Sequence, residues 1–160
     1  MNAPLLRPCS PADAPAVAEI WHTGWHDGHA GHVPDGLTAA RTLPAFHERT
    51  PPRVPDTTVA DVSGHVAGFV MVLGDEVEQV FVDPAHRGTG VADLLLDEAE
   101  RQVAAGGHDS AWLAVVEGNA RARRFYERRG WSDGGPLPYP VQAGGSTYVS
   151  PCRRYVKRVG

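Results

Sequence analysis

The chain has 160 residues, enough for one sizeable hydrophobic core, and is expected to form a single domain over 1–160. Its 42% hydrophobic and 21% charged residues are those of a globular protein, and a net charge of −4 argues against a general nucleic-acid binder, which would carry a basic excess. No apolar run approaches the roughly 18 residues of a membrane span, no basic-then-apolar leader opens the chain, and the distant Cys9 and Cys152 lack metal spacing, so the expectation is a cytoplasmic protein with free thiols.

Residues 4–8 read as a short strand. Ser10-Pro11-Ala12-Asp13 is a helix start, with Ser10 as N-cap and Pro11 at the first helical position. The following helix carries Val17, Ile20 and Trp21 on one face and is expected to end near Gly24. Residues 21–36 hold four of the eight histidines. His22 and His26 stand four apart, with His29 and His32 following, which raises a zinc site. Gly24, Gly28 and Gly31 interrupt any regular ligand scaffold, so the preferred reading is an aromatic and polar loop lining a substrate cleft, with no metal. A second helix is expected over residues 37–47, and Pro51, Pro52 and Pro55 mark a connection.

Residues 57–62 and 66–73 form a strand pair around the Ser63-Gly64 turn. Gly74-Asp75 turns into a further strand, Glu76 to Val82, which ends at Asp83-Pro84. A short loop with Arg87, Gly88 and Gly90 then leads into a helix whose apolar face is Ala92, Leu95, Leu96, Ala99 and Val103, closed by Gly106-Gly107. Residues 110–116 are another strand. Strand, helix, strand in this order means a right-handed crossover between parallel strands, whereas the short turns before it mean antiparallel pairing. Asn119 caps a helix with the stripe Ala122, Phe125 and Tyr126, stopped by Gly130. Residues 132–147, rich in Gly and Pro, are expected as a long loop, and residues 148–158 as the last strand.

The strand-loop-helix of residues 76–105 suits a pyrophosphate. Helix-opening N–H groups have no partner within the helix and carry its positive dipole end, and glycines let an oxyanion approach the backbone. Arg87 can add a charge-assisted bond. Two familiar nucleotide motifs fail: no Lys follows Gly90 as a P-loop requires, and Asp93 stands where a dinucleotide fingerprint has its third glycine.

A more specific match exists. Arg87-Gly88-Thr89-Gly90-Val91-Ala92 fits Arg/Gln-x-x-Gly-x-Gly/Ala, and Asn119 to Trp131 fits Asn-x-x-Ala-x-x-Phe-Tyr-x-x-x-Gly-aromatic. In this order the two motifs resemble the GNAT superfamily of N-acetyltransferases, over about residues 66–131. The resemblance implies the GNAT fold. This is an α/β architecture with a mixed, largely antiparallel sheet of six to seven strands and helices on both faces, the cofactor lying at residues 76–105. It also implies acetyl-coenzyme A as acyl donor, bound by Val80, Phe81, Val82, Arg87, Gly88, Thr89, Gly90, Val91, Ala92, Asn119, Arg121, Arg124 and Tyr126. The acceptor would be a small-molecule amine, a peptide N-terminus or a lysine, with no nucleic acid or membrane partner; homodimers are common in the family.

Direct acetyl transfer needs a base for the amine, donors for the developing oxyanion and an acid for the departing thiolate. The resemblance assigns the acid to Tyr126, whose phenol titrates at about 10 in its ordinary state. It assigns the oxyanion donors to backbone N–H groups near Val80–Val82, where the family strand carries a bulge. For the base, Glu78 is preferred and Glu76 is the alternative, with His22 or His26 as rivals because histidine titrates at about 6.5. Arg121, Arg123, Arg124, Arg128 and Arg129 form either a solvated helix face or contacts to a 3′-phosphate, Arg121 and Arg124 being favoured for the latter. Trp21, Trp25, His26 and His29 are the expected acceptor contacts, since the family varies in this region. A catalytically silent acyl-coenzyme A-binding module and a dinucleotide-dependent oxidoreductase are the competing readings.

Overall fold

The computed structural model describes residues 3–160. Seven strands form one sheet: β1 (Leu5–Pro8), β2 (Thr57–Val62), β3 (His65–Leu73), β4 (Glu76–Val82), β5 (Ser110–Val116), β6 (Ser132–Ala143) and β7 (Ser146–Arg158). Their spatial order is β1-β2-β3-β4-β5-β7-β6, and among the described residues β4-β5 is the one parallel pairing. The helices are α1 (Ala14–His29), α2 (Asp35–Ala40), α3 (Leu43–Arg49), α4 (Val91–Ala105) and α5 (Ala120–Arg128). This is the mixed, largely antiparallel sheet expected from the turn lengths.

The sheet divides the apolar interior in two. On one face α1 and α3 bury Val17, Trp21, Trp25 and Phe46 against Phe69 and Met71. On the other, α4 buries Val91, Leu95, Leu96, Ala99 and Val103 against Val70, Val77, Leu113 and Tyr155. Each large side chain so buried contributes about 1.5–3 kcal/mol relative to exposure. A register shift in β4 sets which residue meets which face. Met71 lies opposite Gln79 and Val72 opposite Val77, so Glu78 is an extra residue. Strict alternation from Val77 would put Phe81 on the α4 side; instead Val77, Val80 and Val82 pack there and Phe81 packs beneath α1.

Three segments differ from expectation. Helix α1 continues through Gly24 to His29, because a Cβ at Gly24 would overlap the Phe81 ring and one at Gly28 would stand 2.6 Å from Asn119 Nδ2. Close helix-to-strand approach offsets the cost of about 1 kcal/mol that a mid-helix glycine carries. The helix expected over 37–47 is two helices. Arg41 leaves the helical region, and Thr42 starts the next helix by accepting from Ala45 N–H at 3.2 Å, with Pro44 in its first turn. Residues 132–147 are not a loop: β6 pairs along its length with β7 through the Gly144-Gly145 turn. Pro136, Pro138 and Pro140 fall at one phase of the alternation on the edge strand, so their missing N–H groups lie on the open side of the sheet.

Candidate functional site

Strands β4 and β5 meet only at Glu76 and Trp112, where Trp112 N–H donates to the Asp75 carbonyl at 3.0 Å. Beyond that bridge they part. Along the other edge of β4, Asp83 N–H donates to Ala67 O at 2.8 Å, and Phe81 lies opposite Phe69 two residues earlier. Antiparallel partners alternate between bonded and non-bonded pairs. Phe81 therefore bonds to β3, while the N–H and C=O groups of Val80 and Val82 turn to the β5 side, where no strand pairs with them. The bulge expected near Val80–Val82 lies earlier, at Glu78. The outward N–H groups arise from the parting of two strands.

The gap opens onto the start of α4. Gly88 and Gly90 hold φ of +76° and +88°, the left-handed region that favours glycine, and a Cβ on either would meet nothing within 4 Å. Among the described residues, no backbone N–H from Gly88 to Asp93 donates to a protein group. The helix dipole adds positive potential at the same place. The cleft here holds about 480 Å³ and is lined by Gly24 and Gly28 of α1, Val80 to Val82, Arg87, Gly88, Gly90, Ala92, and Asn119, Arg121, Phe125, Tyr126, Arg128 and Arg129 at α5. Arg87 donates to Asp27 of α1 at 2.6 Å, tying the loop to the helix across from it. Of the expected cofactor residues, Thr89, Val91 and Arg124 do not line the cleft. Thr89 donates its hydroxyl to His86 O, Val91 is buried in the core, and Arg124 is exposed.

A second cleft of about 360 Å³ is lined by Trp25, His29, Arg41, Arg49, Glu76, Glu78, Tyr139 and Cys152 among others. Val80, Phe81, Asn119, Ala122 and Tyr126 line both clefts, so the two meet at these residues. Asn119 Oδ1 accepts from Ala122 N–H at 3.2 Å, the helix cap expected, which leaves its amide N–H groups for the cleft. Among the described residues the Tyr126 hydroxyl makes no hydrogen bond; burial pushes its pKa up to about 12.

The two candidate carboxylates differ. Both oxygens of Glu78 accept from Arg53, at 2.6 and 3.1 Å. Glu76 accepts only from the Tyr139 hydroxyl at 3.4 Å, and burial, aided by the neighbouring Glu78 charge, raises its pKa. His29 lies stacked on Trp25 and its Nδ1 donates to the Trp25 carbonyl at 2.8 Å, so Nε2 keeps its lone pair. Burial lowers its pKa to about 4 and keeps the ring neutral.

Trp21 and His26 do not reach either cleft. Trp21 is 1% exposed, packed edge-on to Phe46 and Phe69 in the core. His26 Nε2 is hydrogen-bonded to the Arg41 carbonyl at 2.6 Å, and His22 packs on Phe46. Arg41, Arg49 and Tyr139 were not singled out from the sequence, nor were Gly24 and Gly28 as cleft walls. The four-residue spacing of the two glycines was a usable signal, since it marks one helix face that a neighbour approaches closely. Arg41 and Arg49 carried none, because their burial depends on how α2 and α3 fold back over the sheet. Among the described residues, no group of three or more His, Cys, Asp or Glu side chains gathers as a metal site, and no helix is long and apolar enough to cross a membrane.

The sequence pattern of the acetyltransferase (GNAT) family matches residues 15–131. The chain belongs to this family. A relative described as an uncharacterized N-acetyltransferase of Mycobacterium tuberculosis is 31% identical over 85 residues, 50% of this chain and 54% of the relative. The chain thus spans about half the length of the curated relatives it matches. Among solved structures, a GCN5-related N-acetyltransferase from Rhodopseudomonas palustris superposes with a TM-score of 0.76 at 24% identity, over 99% of this chain and 97% of that one. The PaiA N-acetyltransferase of Thermoplasma acidophilum, solved in complex with coenzyme A, gives 0.73 at 16% identity, over 98% and 99%. These likenesses show the GNAT fold, as the motifs at Arg87–Ala92 and Asn119–Trp131 implied.

Proposed function

We propose that this chain is an N-acetyltransferase. In this reading residues 1–160 act as one domain that binds acetyl-coenzyme A and a primary amine together and transfers the acetyl group by direct attack. The observation that carries it is the meeting of two clefts at Tyr126, one opening onto the unpaired N–H groups of Gly88 to Asp93 and the other onto Glu76. The residues fit the donor. The open space beside Gly88 and Gly90 admits phosphate oxygens to the backbone, and the gap between β4 and β5 gives an extended arm a place beside Val80 and Val82. That PaiA, of the same fold, was solved in complex with coenzyme A supports a coenzyme A donor.

The residues then divide the work. Glu76, rather than Glu78, takes the proton from the amine, directly or through water. Glu78 has both oxygens committed to Arg53, whereas burial makes Glu76 a stronger proton acceptor than an ordinary carboxylate. The N–H groups of Val80 and Val82 donate to the thioester oxygen as charge builds there. As the C–N bond forms and the C–S bond breaks, the Tyr126 hydroxyl donates toward the departing sulfur.

Isothermal titration with acetyl-coenzyme A, paired with thiol release across an amine panel, tests the reading. Saturable binding with acceptor-dependent thiol release is expected. Binding without release on any amine would make the chain a silent acyl-coenzyme A-binding module, and absence of binding would remove the α4 site.

A further inference from the structure

Two charged residues of the Glu76 cleft take no part in the chemistry above. Arg41 is 7% exposed, its side chain makes no hydrogen bond among the described residues, and its Nε is buried without a partner. Arg49 lies over the rings of Trp21 and Phe46, at 4.4 and 5.1 Å, and its Nη1 is likewise buried without a partner. Neither forms an ion pair within 4.0 Å among the described residues, because the Glu78 carboxylate is held by Arg53. Burial disfavours the charge on both; the Arg41 charge further opposes that of Arg49, which Glu78 offsets only in part. A buried cation without an ion pair is destabilising, and each unpaired N–H adds a desolvation cost. A chain of net charge −4 nevertheless concentrates two such cations in one cleft. What would pair with their free N–H groups is an anion that no protein side chain places against them. Guanidinium groups match the flat, two-oxygen edge of a carboxylate or a phosphonate.

We propose that the acceptor is amino-acid-like: a small primary amine that also carries an oxyanion, a carboxylate or a phosphonate, received by Arg41 and Arg49 while its amine faces Glu76. This narrows the transferase reading and rests on it. Polycationic amines are disfavoured as acceptors, since they would meet two guanidiniums. A cleft of about 360 Å³ suits a molecule of that size.

The test uses matched acceptors: free amino acids, their carboxamides, and the corresponding aminophosphonates, all followed by thiol release. The acid or the phosphonate is expected to exceed the amide in kcat/KM by about 10- to 100-fold, the range for losing a charged hydrogen bond. Whichever of the two is preferred identifies the oxyanion. In Arg41→Met and in Arg49→Met the acid-to-amide ratio should fall toward one. Thermal stability should hold or rise in Arg41→Met, because a buried unpaired charge is removed. A second arm does not need turnover. Glutarate, titrated at constant ionic strength with coenzyme A present, should quench tryptophan fluorescence saturably in the native protein and not in Arg41→Met. Amides acetylated as well as acids, or no saturable response to glutarate, would overturn the proposal while leaving acetyl-coenzyme A binding and thiol release intact. Failure of the transferase reading would instead show as no thiol release with any amine, acid or amide, or as loss of acetyl-coenzyme A binding itself.

Discussion

Burial raises the pKa of both catalytic candidates, and each shift suits the role proposed for it. It pushes the Tyr126 phenol up to about 12, so the hydroxyl remains a neutral donor throughout the working pH range. Such a phenol is too weak an acid to surrender its proton fully to a thiolate with a pKa of about 8.5, so the part proposed for it is a hydrogen bond that strengthens as the C–S bond breaks. Tyr126→Phe should lower turnover by about 10² with little change in stability or acetyl-coenzyme A affinity. A variant with undiminished single-turnover rates would reduce Tyr126 to a packing residue beside Phe125 and Trp131. Glu76 is pushed up by burial and by Glu78, so the acidic limb of kcat/KM should lie above the ordinary carboxylate range. Glu76→Gln should abolish that limb and cost about 10² in rate, and it should not destabilise the fold, because it removes a charge that burial disfavours. Glu78→Gln should behave in the opposite way. It breaks the two-point pair with Arg53, lowers stability by about 2 kcal/mol and keeps an acidic limb, moved to lower pH because the Glu78 charge no longer raises Glu76. Denaturant melts and pH–rate profiles of the two variants side by side decide which carboxylate is the base.

At the level of elements, the N-terminal strand is held by a clamp of charges. Arg7 on β1 donates to Asp13 at 2.7 and 3.0 Å and to Asp61 of β2 at 3.1 Å, while Ser10 N–H and hydroxyl donate to Asp13 at 2.8 and 3.1 Å. The turn Pro11–Asp13 thereby joins β1 to α1, the helix that forms one wall of both clefts. Chiefly through Arg7, the Asp13 carboxyl is held at about 2, below its ordinary value of 3.8. A depressed folded-state pKa contributes stability above the unfolded value, and this is lost as the pH falls from about 4 toward 2. Asp13→Asn should therefore destabilise the protein by about 1–2 kcal/mol at pH 7, and its deficit against the native chain should close near pH 2. A deficit that persists unchanged at pH 2 would mean that the amide disturbs the turn by shape rather than by charge. On α1, Gly24 and Gly28 spend helix propensity to bring the backbone against Phe81 and Asn119, where both clefts share a wall.

Over the whole molecule the sheet is continuous except where β4 and β5 part, and the two clefts meet beside that parting. A donor lying there would join the β1–β4 half to the β5–β7 half through backbone groups that nothing else pairs. At a hundredfold excess over its Kd, acetyl-coenzyme A should add about 2.7 kcal/mol and raise Tm by about 5–10 °C for a domain of this size. Amide exchange at Val80 and Val82 should slow on binding, and a ligand-independent Tm would rule out binding to the native fold. Much of this architecture was legible in the chain, because its signals are local. The glycine pair opening α4, the Asn119 cap, the Ser63-Gly64 turn and the apolar spacings each depend on residues a few positions apart. Those same stretches carry the family motifs, so the cleft beside α4 was readable with them. The acceptor side was not. Which of two glutamates keeps free oxygens depends on Arg53, 25 residues away in sequence, and the burial of Arg41 and of one Arg49 nitrogen depends on α2 and α3 packing over the sheet. Even β6 needed a partner strand before its prolines could be told from those of a loop, since an edge position is a property of the sheet and not of the segment. Spacing along the chain determined which elements form; burial and the choice of charge partner, both set at long range, decided which of their side chains face the clefts and in what protonation state.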